Sequence, residues 1–411
     1  MSTHSVPLVW ASTPRMTATP ADTSACRASG GAPGHGSTHP NRWAPHPSSG
    51  APTAKPVADQ ITERTAGSLA NHAPIPGSAP RAPTYDQTVS TEDHPRHVMV
   101  LAGGLTHERE ISLRSGSRLA DALRSVGHEV TVLEPNAELL PWLIQHQPDA
   151  AVIALHGGEG ESGDIQSVLE LMGIPYLGTS SRHCPLAFDK TIAKSIIHQA
   201  GLRTPPWITP AHSTFGDLGA KPVLAAVSER LGFPLMIKPS MGGSALGASV
   251  AATPYDLPSA LVGAFSYGES ALIERFIRGT ELAVTVVQLD DTGPQVLPLV
   301  EIRPPGDILD YESHYTAGST VYYSPPTITE DVTQSAVDLS LATFRLLSLR
   351  DIARIDILID SSGSAHFLEA TTSPGLTETS ILNVAVARAG LSIGSMYSRL
   401  IGRLIEKGQQ P

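Results

Sequence analysis

The stretch from Ala353 to Ser380, ARIDILIDSSGSAHFLEATTSPGLTETS, leaves the chain few choices. Ile355, Ile357 and Ile359 alternate with Arg354, Asp356, Leu358 and Asp360, the period of a half-buried strand. Asp360-Ser361-Ser362-Gly363 is a turn signal, and Ala365-His366-Phe367-Leu368-Glu369 reads as a second strand. With Ser362-Gly363 as a two-residue hairpin loop, Ser361 faces Ser364, Asp356 faces Glu369, and Arg354 faces Thr371. Directly opposed residues have Cβ atoms about 4.5–5.5 Å apart, and like charges so placed repel. The pairing therefore calls for a cation, and two carboxylates with further oxygen donors suit Mg²⁺ beside a phosphate-bearing substrate. The adjacent Arg354 suits an anionic substrate. The alternative is a solvated hairpin face of mixed charge.

Composition narrows the setting. A chain of 411 residues suggests two or three domains. Its net charge is −11 with no basic stripe, which argues against nucleic acid. Cys26 and Cys184 lie far apart, which suits a reducing cytosol rather than a disulfide framework. No apolar run approaches the roughly 18 residues of a membrane span. Residues 1–95 hold 14 of the 35 prolines, and such a segment cannot offset its ordering entropy by burial. It reads as a disordered Pro/Ser/Ala-rich extension or a misplaced translation start. It lacks the apolar core of a signal peptide.

The remainder reads in order as an α/β chain. His97 to Gly104 is a buried strand ending in a glycine turn. A helix and the strand EVTVLEP follow. Glu108, at the end of that turn, can meet a substrate ammonium or simply complement the helix dipole. AAVIAL (150–155) leads into the glycine-rich loop from His156 to Asp164, placed where open α/β sheets bind ligands. Asp189-Lys190 opens a helix ended by Gly201. Lys238 ends the strand GFPLMIKPS beside the Gly/Ser loop 241–247, a pattern for covering phosphates but not a Walker A loop. Glu274 and Glu281 sit among aliphatic strands, as nucleotide ligands or exposed strand positions. Asp310 to Thr320 reads as a mobile closing loop. Ser373-Pro374-Gly375-Leu376-Thr377 is a turn whose N–H groups can serve an oxyanion.

Together these segments resemble the D-alanine–D-alanine ligases of the ATP-grasp superfamily, over about His97 to Lys407. The motifs are GGLTHEREISLRSG, ALHGGEGESGDIQ with ELMGIPYLG, FDKTIAK, GFPLMIKPSMGGSALG, DYESHYTAGS, ARIDI and LEATTSPGLTETS. The resemblance implies an α/β fold with an N-terminal (pre-ATP-grasp) lobe at 96–180. Two ATP-grasp lobes would follow, a central one at 181–274 and a C-terminal one at 275–411. It implies ATP and two Mg²⁺ or Mn²⁺ ions as cofactors, D-alanine as substrate, a homodimer, and a cytoplasmic role in peptidoglycan precursor synthesis. Lys190, Lys238 and the His314 position would face ATP phosphates, and Glu274 and Glu281 the adenine and ribose. Asp356, Glu369 and Thr371 would hold metal. Glu108 and His156 would receive the first D-alanine, and Ser380 the carboxylate of the second. Arg354 and the Gly375 N–H would stabilise the oxyanion. Ser244 and Tyr315, linked to Glu108, would close the site, and Tyr315 goes with an amine rather than a hydroxy-acid nucleophile.

The sequence departs from the family pattern at several positions. Thr371 stands for the metal-binding Asn and His314 for a phosphate-binding Lys. Ala245, Asn383 and Ser162 stand for Ser, Pro and Asp. The first two alter phosphate–metal electrostatics. They motivate two alternatives, an ATP-grasp ligase joining other amino acids and a non-catalytic binding homologue.

Overall fold

The computed structural model describes residues 95–306, 308–316 and 318–408, with the side chain of His314 outside that set. The expectation for residues 1–95 thus falls, all but Pro95, outside the described residues.

The first unit is a parallel sheet of order β2-β1-β3-β4. Its strands are β1 (His97–Leu101), β2 (Glu129–Leu133), β3 (Ala150–Ile153) and β4 (Tyr176–Leu177). Helices α1 (Arg109–Ser125), α2 (Leu139–His146), α3 (Gly158–Glu161) and α4 (Asp164–Met172) run between them. Strand β1 is apolar at every interior position because both faces are covered. Val98 and Val100 pack with Leu119 and Leu123 of α1, while Met99 and Leu101 pack with Leu143 and Leu169 of α2 and α4.

After α5 (Cys184–Phe188) and α6 (Lys190–Gln199), strand β5 (Trp207–Ile208) begins an antiparallel sheet of order β5-β8-β6-β7. Helices α7 (His212–Leu218) and α8 (Ala220–Leu231) precede β6 (Leu235–Pro239) and β7 (Ser249–Ala251). Then come α9 (Leu257–Phe265) and β8 (Ala271–Arg275). The expected start of α6 is present, with the Asp189 carboxylate accepting from the N–H groups of Thr191 and Ile192.

The third sheet is antiparallel, of order β12-β11-β9-β13-β14, with β10 paired to β9. It comprises β9 (Gly279–Val287), β10 (Gln295–Val296), β11 (Val300–Arg303), β12 (Val321–Tyr323), β13 (Ile352–Asp360) and β14 (Ala365–Thr371). Helix α10 (Tyr311–Tyr315) lies between β11 and β12, and α11 (Glu330–Leu346) before β13. Helices α12 (Ile381–Arg388) and α13 (Ile393–Lys407) close the chain. The Asp310–Thr320 segment, expected as a mobile closing loop, contains α10, started by a reciprocal Asp310–Ser313 capping box.

The β13–β14 hairpin carries two corrections. Its loop has three residues, Ser361 to Gly363, with Asp360 N–H bonded to Ser364 C=O at 3.0 Å and Gly363 at φ +81°. The Asp360 carboxylate stabilises this loop by accepting from the N–H groups of Ser362 and Ser364. The ladder then shifts between Asp356 and Ile357, leaving Leu368 as an extra residue in β14. The two departures offset each other, so Asp356 still faces Glu369 and Arg354 still faces Thr371. Strand β13 is also buried on both faces, not half-buried. Ile355 and Ile357 lie in the core, while Arg354 and Asp356 line a cleft.

Gly116 marks how closely α1 lies on β1, since a Cβ there would fall well inside contact distance of the Ala102 methyl. Replacing glycine by alanine in an open helix gains about 0.5–1 kcal/mol, whereas overpacking costs about 1–3 kcal/mol. Gly116→Ala therefore lowers stability in denaturant unfolding. An unchanged or raised midpoint would refute the packing.

Candidate active site

A cleft of about 780 Å³ is lined by the first sheet's loops, strands β6 and β8, and the β9–β13–β14 face. Fourteen residues singled out in the sequence line it: Glu108, His156, Lys190, Lys238, Ser244, Glu274, Glu281, Tyr315, Arg354, Asp356, Glu369, Thr371, Gly375 and Ser380. The His314 side chain is outside the described residues.

At its floor the Arg354 guanidinium grips Asp356 with two hydrogen bonds, Nε to Oδ1 and Nη2 to Oδ2, both 2.8 Å. This is the strong fork geometry of an arginine–carboxylate pair. Opposite, Glu369 Oε2 lies 3.6 Å from Lys238 Nζ and 3.8 Å from Lys190 Nζ. The bulge at Leu368 turns both Leu368 and Glu369 toward the cleft. Burial pushes the Glu369 carboxyl up, but Lys190, Lys238 and Arg354 outweigh it and hold the group ionised. Asp356 is pushed above the usual carboxylate range by burial, Arg354 notwithstanding, and the charge on Glu369 adds to this. Glu281, on the same face, is pushed up to about 7 by burial and by the charges of Asp356 and Glu369.

Asp356, buried, and Glu281 and Glu369, half-buried, are thus acids that resist one another's ionisation, the condition a divalent cation relieves. Among the described residues no cluster of three His, Cys, Asp or Glu gathers as a ready metal cage. Asp356 and Glu369, with the Thr371 hydroxyl beside them, fit a hard cation that takes its remaining ligands from water and substrate phosphates.

Glu274, expected to face the adenine or ribose, lines the cleft. Its carboxylate is held on one oxygen by Lys194 at 2.7 Å and on the other by Lys238 at 3.0 Å. Both oxygens thus meet ammonium groups, an arrangement that orients Lys238. Burial raises the Glu274 carboxyl, yet Lys194 and Lys238 together bring it down to about 2. Lys194 escaped the sequence reading. The signal was its position one helical turn after Lys190, on the same face of α6.

Above the floor, three segments meet. Ser244 donates to Glu108 Oε1, and its oxygen lies 2.6 Å from the Tyr315 hydroxyl. The proton order is therefore Tyr315 to Ser244 to Glu108. Ser244 and Ala245 both adopt left-handed backbone, φ +53° and +56°, uncommon for side chains of this kind and typical of functional loops. Burial raises the Glu108 carboxyl, with the Ser244 hydroxyl opposing. Glu161, also absent from the expected set, lines the same end of the cleft and accepts from Gly157 N–H at 2.9 Å. Burial, then the charge of Glu108, pushes it up to about 7. Its signal was a second acid inside the glycine-rich loop.

His156 is buried and neutral, its imidazole pushed down to about 4 by burial. Ser380 is the residue preceding α12, with its hydroxyl 3.0 Å from that of Thr377. A Cβ on Gly375 would come within 3.1 Å of the Ser380 oxygen, so the two lie side by side.

Comparison with known proteins followed the same outline. A family profile described as "D-ala D-ala ligase C-terminus" matches residues 196–406. A D-alanine–D-alanine ligase of Moorella thermoacetica is 34% identical over 75% of this chain and 99% of its own. One from Desulforudis audaxviator is 38% identical over 74% and 97%. The crystal structure of the D-alanine–D-alanine ligase of Bacillus anthracis complexed with ATP superimposes with a TM-score of 0.63 at 25% identity. It covers 76% of this chain and 99% of that one.

The Glu274 pairing has a pH signature. Its folded pKa lies below the unfolded carboxylate value of about 4.3, so its stabilisation is complete above that value and is lost as pH falls toward about 2. Glu274→Gln leaves two buried ammonium groups short of a partner and lowers stability at pH 7 by about 3 kcal/mol. In unfolding titrations the gap between wild type and variant narrows from pH 4.5 to 2. A gap constant across that window would reject the pairing.

Proposed function

The chain belongs to the D-alanine–D-alanine ligase family, and we propose that it joins two D-alanines into D-alanyl-D-alanine at the expense of ATP. The product would serve peptidoglycan precursor synthesis in the cytoplasm. The observation that carries this reading is the cleft floor, where Arg354, Lys190 and Lys238 converge on the opposed pair Asp356 and Glu369.

The first D-alanine carboxylate attacks the γ-phosphate of ATP, the bond to the β-phosphate breaks, and an acyl phosphate forms as ADP leaves. Lys190 and Lys238 meet the transferring phosphoryl charge, and Glu369 sets their positions. Asp356, Glu369 and Thr371 would hold the divalent cations, two in the proposed site, which would neutralise phosphate oxygens as Lewis acids. Glu108 takes the ammonium of the first D-alanine, close to His156. Glu274 and Glu281 are the carboxylates for the adenine and ribose. The amine of the second D-alanine, its carboxylate near Ser380, then attacks the acyl carbon. Arg354 and the Gly375 N–H stabilise the oxyanion, and phosphate leaves. The Tyr315–Ser244–Glu108 chain closes the site and keeps water from the acyl phosphate.

The chemistry falls between three lobes, 96–180, 181–274 and 275–411, and the working unit is proposed to be a homodimer. Among the described residues no helix is long and apolar enough to cross a membrane.

The deciding measurement is phosphate release from ATP and Mg²⁺ with D-alanine or L-alanine, with mass analysis of the product. D-alanine-dependent release with a D-alanyl-D-alanine product is expected. Release only with other amino acids would replace the substrate assignment. Glu369→Ala removes several kcal/mol of charge stabilisation, a loss of at least about 100-fold, with the fold retained. Thr371→Asn holds or raises activity, because Thr371 supplies an oxygen of shorter reach than an amide. A large loss there would mean that the site is built around Thr371.

A further inference from the structure

The turn expected at Ser373–Thr377 is displaced. Residues 374–376 form no turn or bend. A turn closes instead at Thr377–Ser380, where Ser380 N–H donates to Thr377 C=O at 3.0 Å. Asn383 Nδ2 donates to the same carbonyl at 2.6 Å. Helix α1 holds the residues on either side of Thr377. Arg118 Nε donates to Leu376 C=O at 2.8 Å, and Arg114 and Arg118 both pair with Glu378. The backbone here is thus anchored without the Thr377 side chain. Thr377 is fully buried, and its hydroxyl lies 3.0 Å from that of Ser380 and 3.4 Å from that of Thr379. Ser380 lines the cleft and precedes α12. A serine in that place ordinarily accepts from N–H groups of the first helical turn. Here its side chain makes no such cap and turns to Thr377.

We propose that Thr377 is a positioning residue that directs the Ser380 proton into the cleft, toward the carboxylate of the second amino acid. The proposal rests on the ligase reading for the identity of that carboxylate. The direction follows from a count of donors. A carboxylate only accepts, so Ser380 must donate to it. The Ser380 oxygen is then left to accept, and the Thr377 O–H donates to it. Thr379 is placed to donate to Thr377 in turn. With the Thr377–Ser380 bond reversed, the Ser380 proton would point away from the cleft. Hydroxyls in a chain strengthen one another, so the Ser380 donor is both aimed and reinforced. Gly375 leaves room beside it, since a Cβ there would come within 3.1 Å of the Ser380 oxygen. The effect falls on capture of the acyl phosphate by an amino acid and not on its formation.

The test uses the full chain and two nucleophiles. Hydroxylamine attacks the acyl carbon through its nitrogen, loses a proton and expels phosphate, giving a hydroxamate. It has no carboxylate for Ser380 to receive. Thr377→Val keeps the shape of the side chain and removes the hydroxyl. With D-alanine below saturation it should lower dipeptide formation about tenfold, the scale of one hydrogen bond to a charged group, through a raised KM for the second D-alanine. Hydroxamate formation from D-alanine and hydroxylamine should stay within about twofold of wild type. Thr377→Ala should behave likewise, and Thr377→Ser, which keeps the donor, should restore dipeptide formation. In a Ser380→Ala background Thr377→Val should add nothing, because Thr377 acts only through Ser380. Wild-type dipeptide formation in Thr377→Val and Thr377→Ala, equal losses of dipeptide and hydroxamate, or an additive loss beyond Ser380→Ala would overturn the proposal. So would a Thr377→Ser variant no better than Thr377→Val. The reading of the function, by contrast, fails only if the wild-type protein makes no D-alanyl-D-alanine.

Discussion

Everything in the cleft depends on charges that cannot be left alone once out of water. Glu274, buried on β8, is matched by Lys194 from α6 and Lys238 from β6, and Lys238 reaches on to Glu369 of β14. One ladder of alternating charge therefore ties a helix and two sheets together. The energetic argument is one-sided. A buried pair adds little over well-packed apolar residues, but removing one partner strands a charge and is costly. The network is better understood as a specification of geometry than as a source of stability. It holds Lys238 at a fixed point on the cleft floor with its charge assured, because burial would otherwise favour the neutral amine and the flanking carboxylates outweigh it. A lysine proposed to meet a phosphoryl group must be charged and in place before the substrate arrives, and Glu274 and Glu369 together supply both conditions.

Local pattern made much of this readable. The alternation in β13, the Asp360-Ser361-Ser362-Gly363 turn and the cap at Asp189 are written in neighbouring residues, and all are present. The facing of Asp356 and Glu369 was also expected, although through two offsetting errors. The loop has one residue more than a tight turn, and Leu368 adds the residue that restores the register. Nothing in HFLEA distinguishes a bulged strand from a straight one, since both place apolar and polar residues in the same order. The partners of Glu274 and Ser115 were hidden for a different reason. Lys194 lies 80 positions from Glu274, and Leu376 lies 261 positions from Ser115. Such contacts are made by the packing of separate sheets and leave no periodic trace.

Helix α1 shows how one element can serve both ends of the chemistry. The residue that precedes it, Glu108, faces the closing hydroxyls of Ser244 and Tyr315. Its first turn carries Ser112, which accepts from Gly103 N–H and donates to Ala154 C=O, fixing the loops after β1 and β3. Ser115 and Arg118 then reach across to Leu376. Gly116 lets the helix lie close enough to β1 for these short side chains to span the gap. A serine hydroxyl has little reach, so the small residues along this face are a condition for the hydrogen bonds and not merely a packing convenience.

The substitution at Thr371 lies two residues beyond Glu369 on β14 at the cleft floor, whereas Glu108, Ser244 and Tyr315 meet above that floor. That separation bears on what the substitution can change. A weaker metal ligand acts on phosphoryl transfer, where charge must be neutralised as it moves. Selection of the attacking group acts through orientation and the exclusion of water. In the second group Tyr315 is hydrogen-bonded to Ser244 and Ser244 to Glu108, the arrangement proposed to go with an amine nucleophile. On the proposed mechanism a change at Thr371 therefore affects how fast the acyl phosphate forms, and the choice of what captures it remains with the groups above the floor.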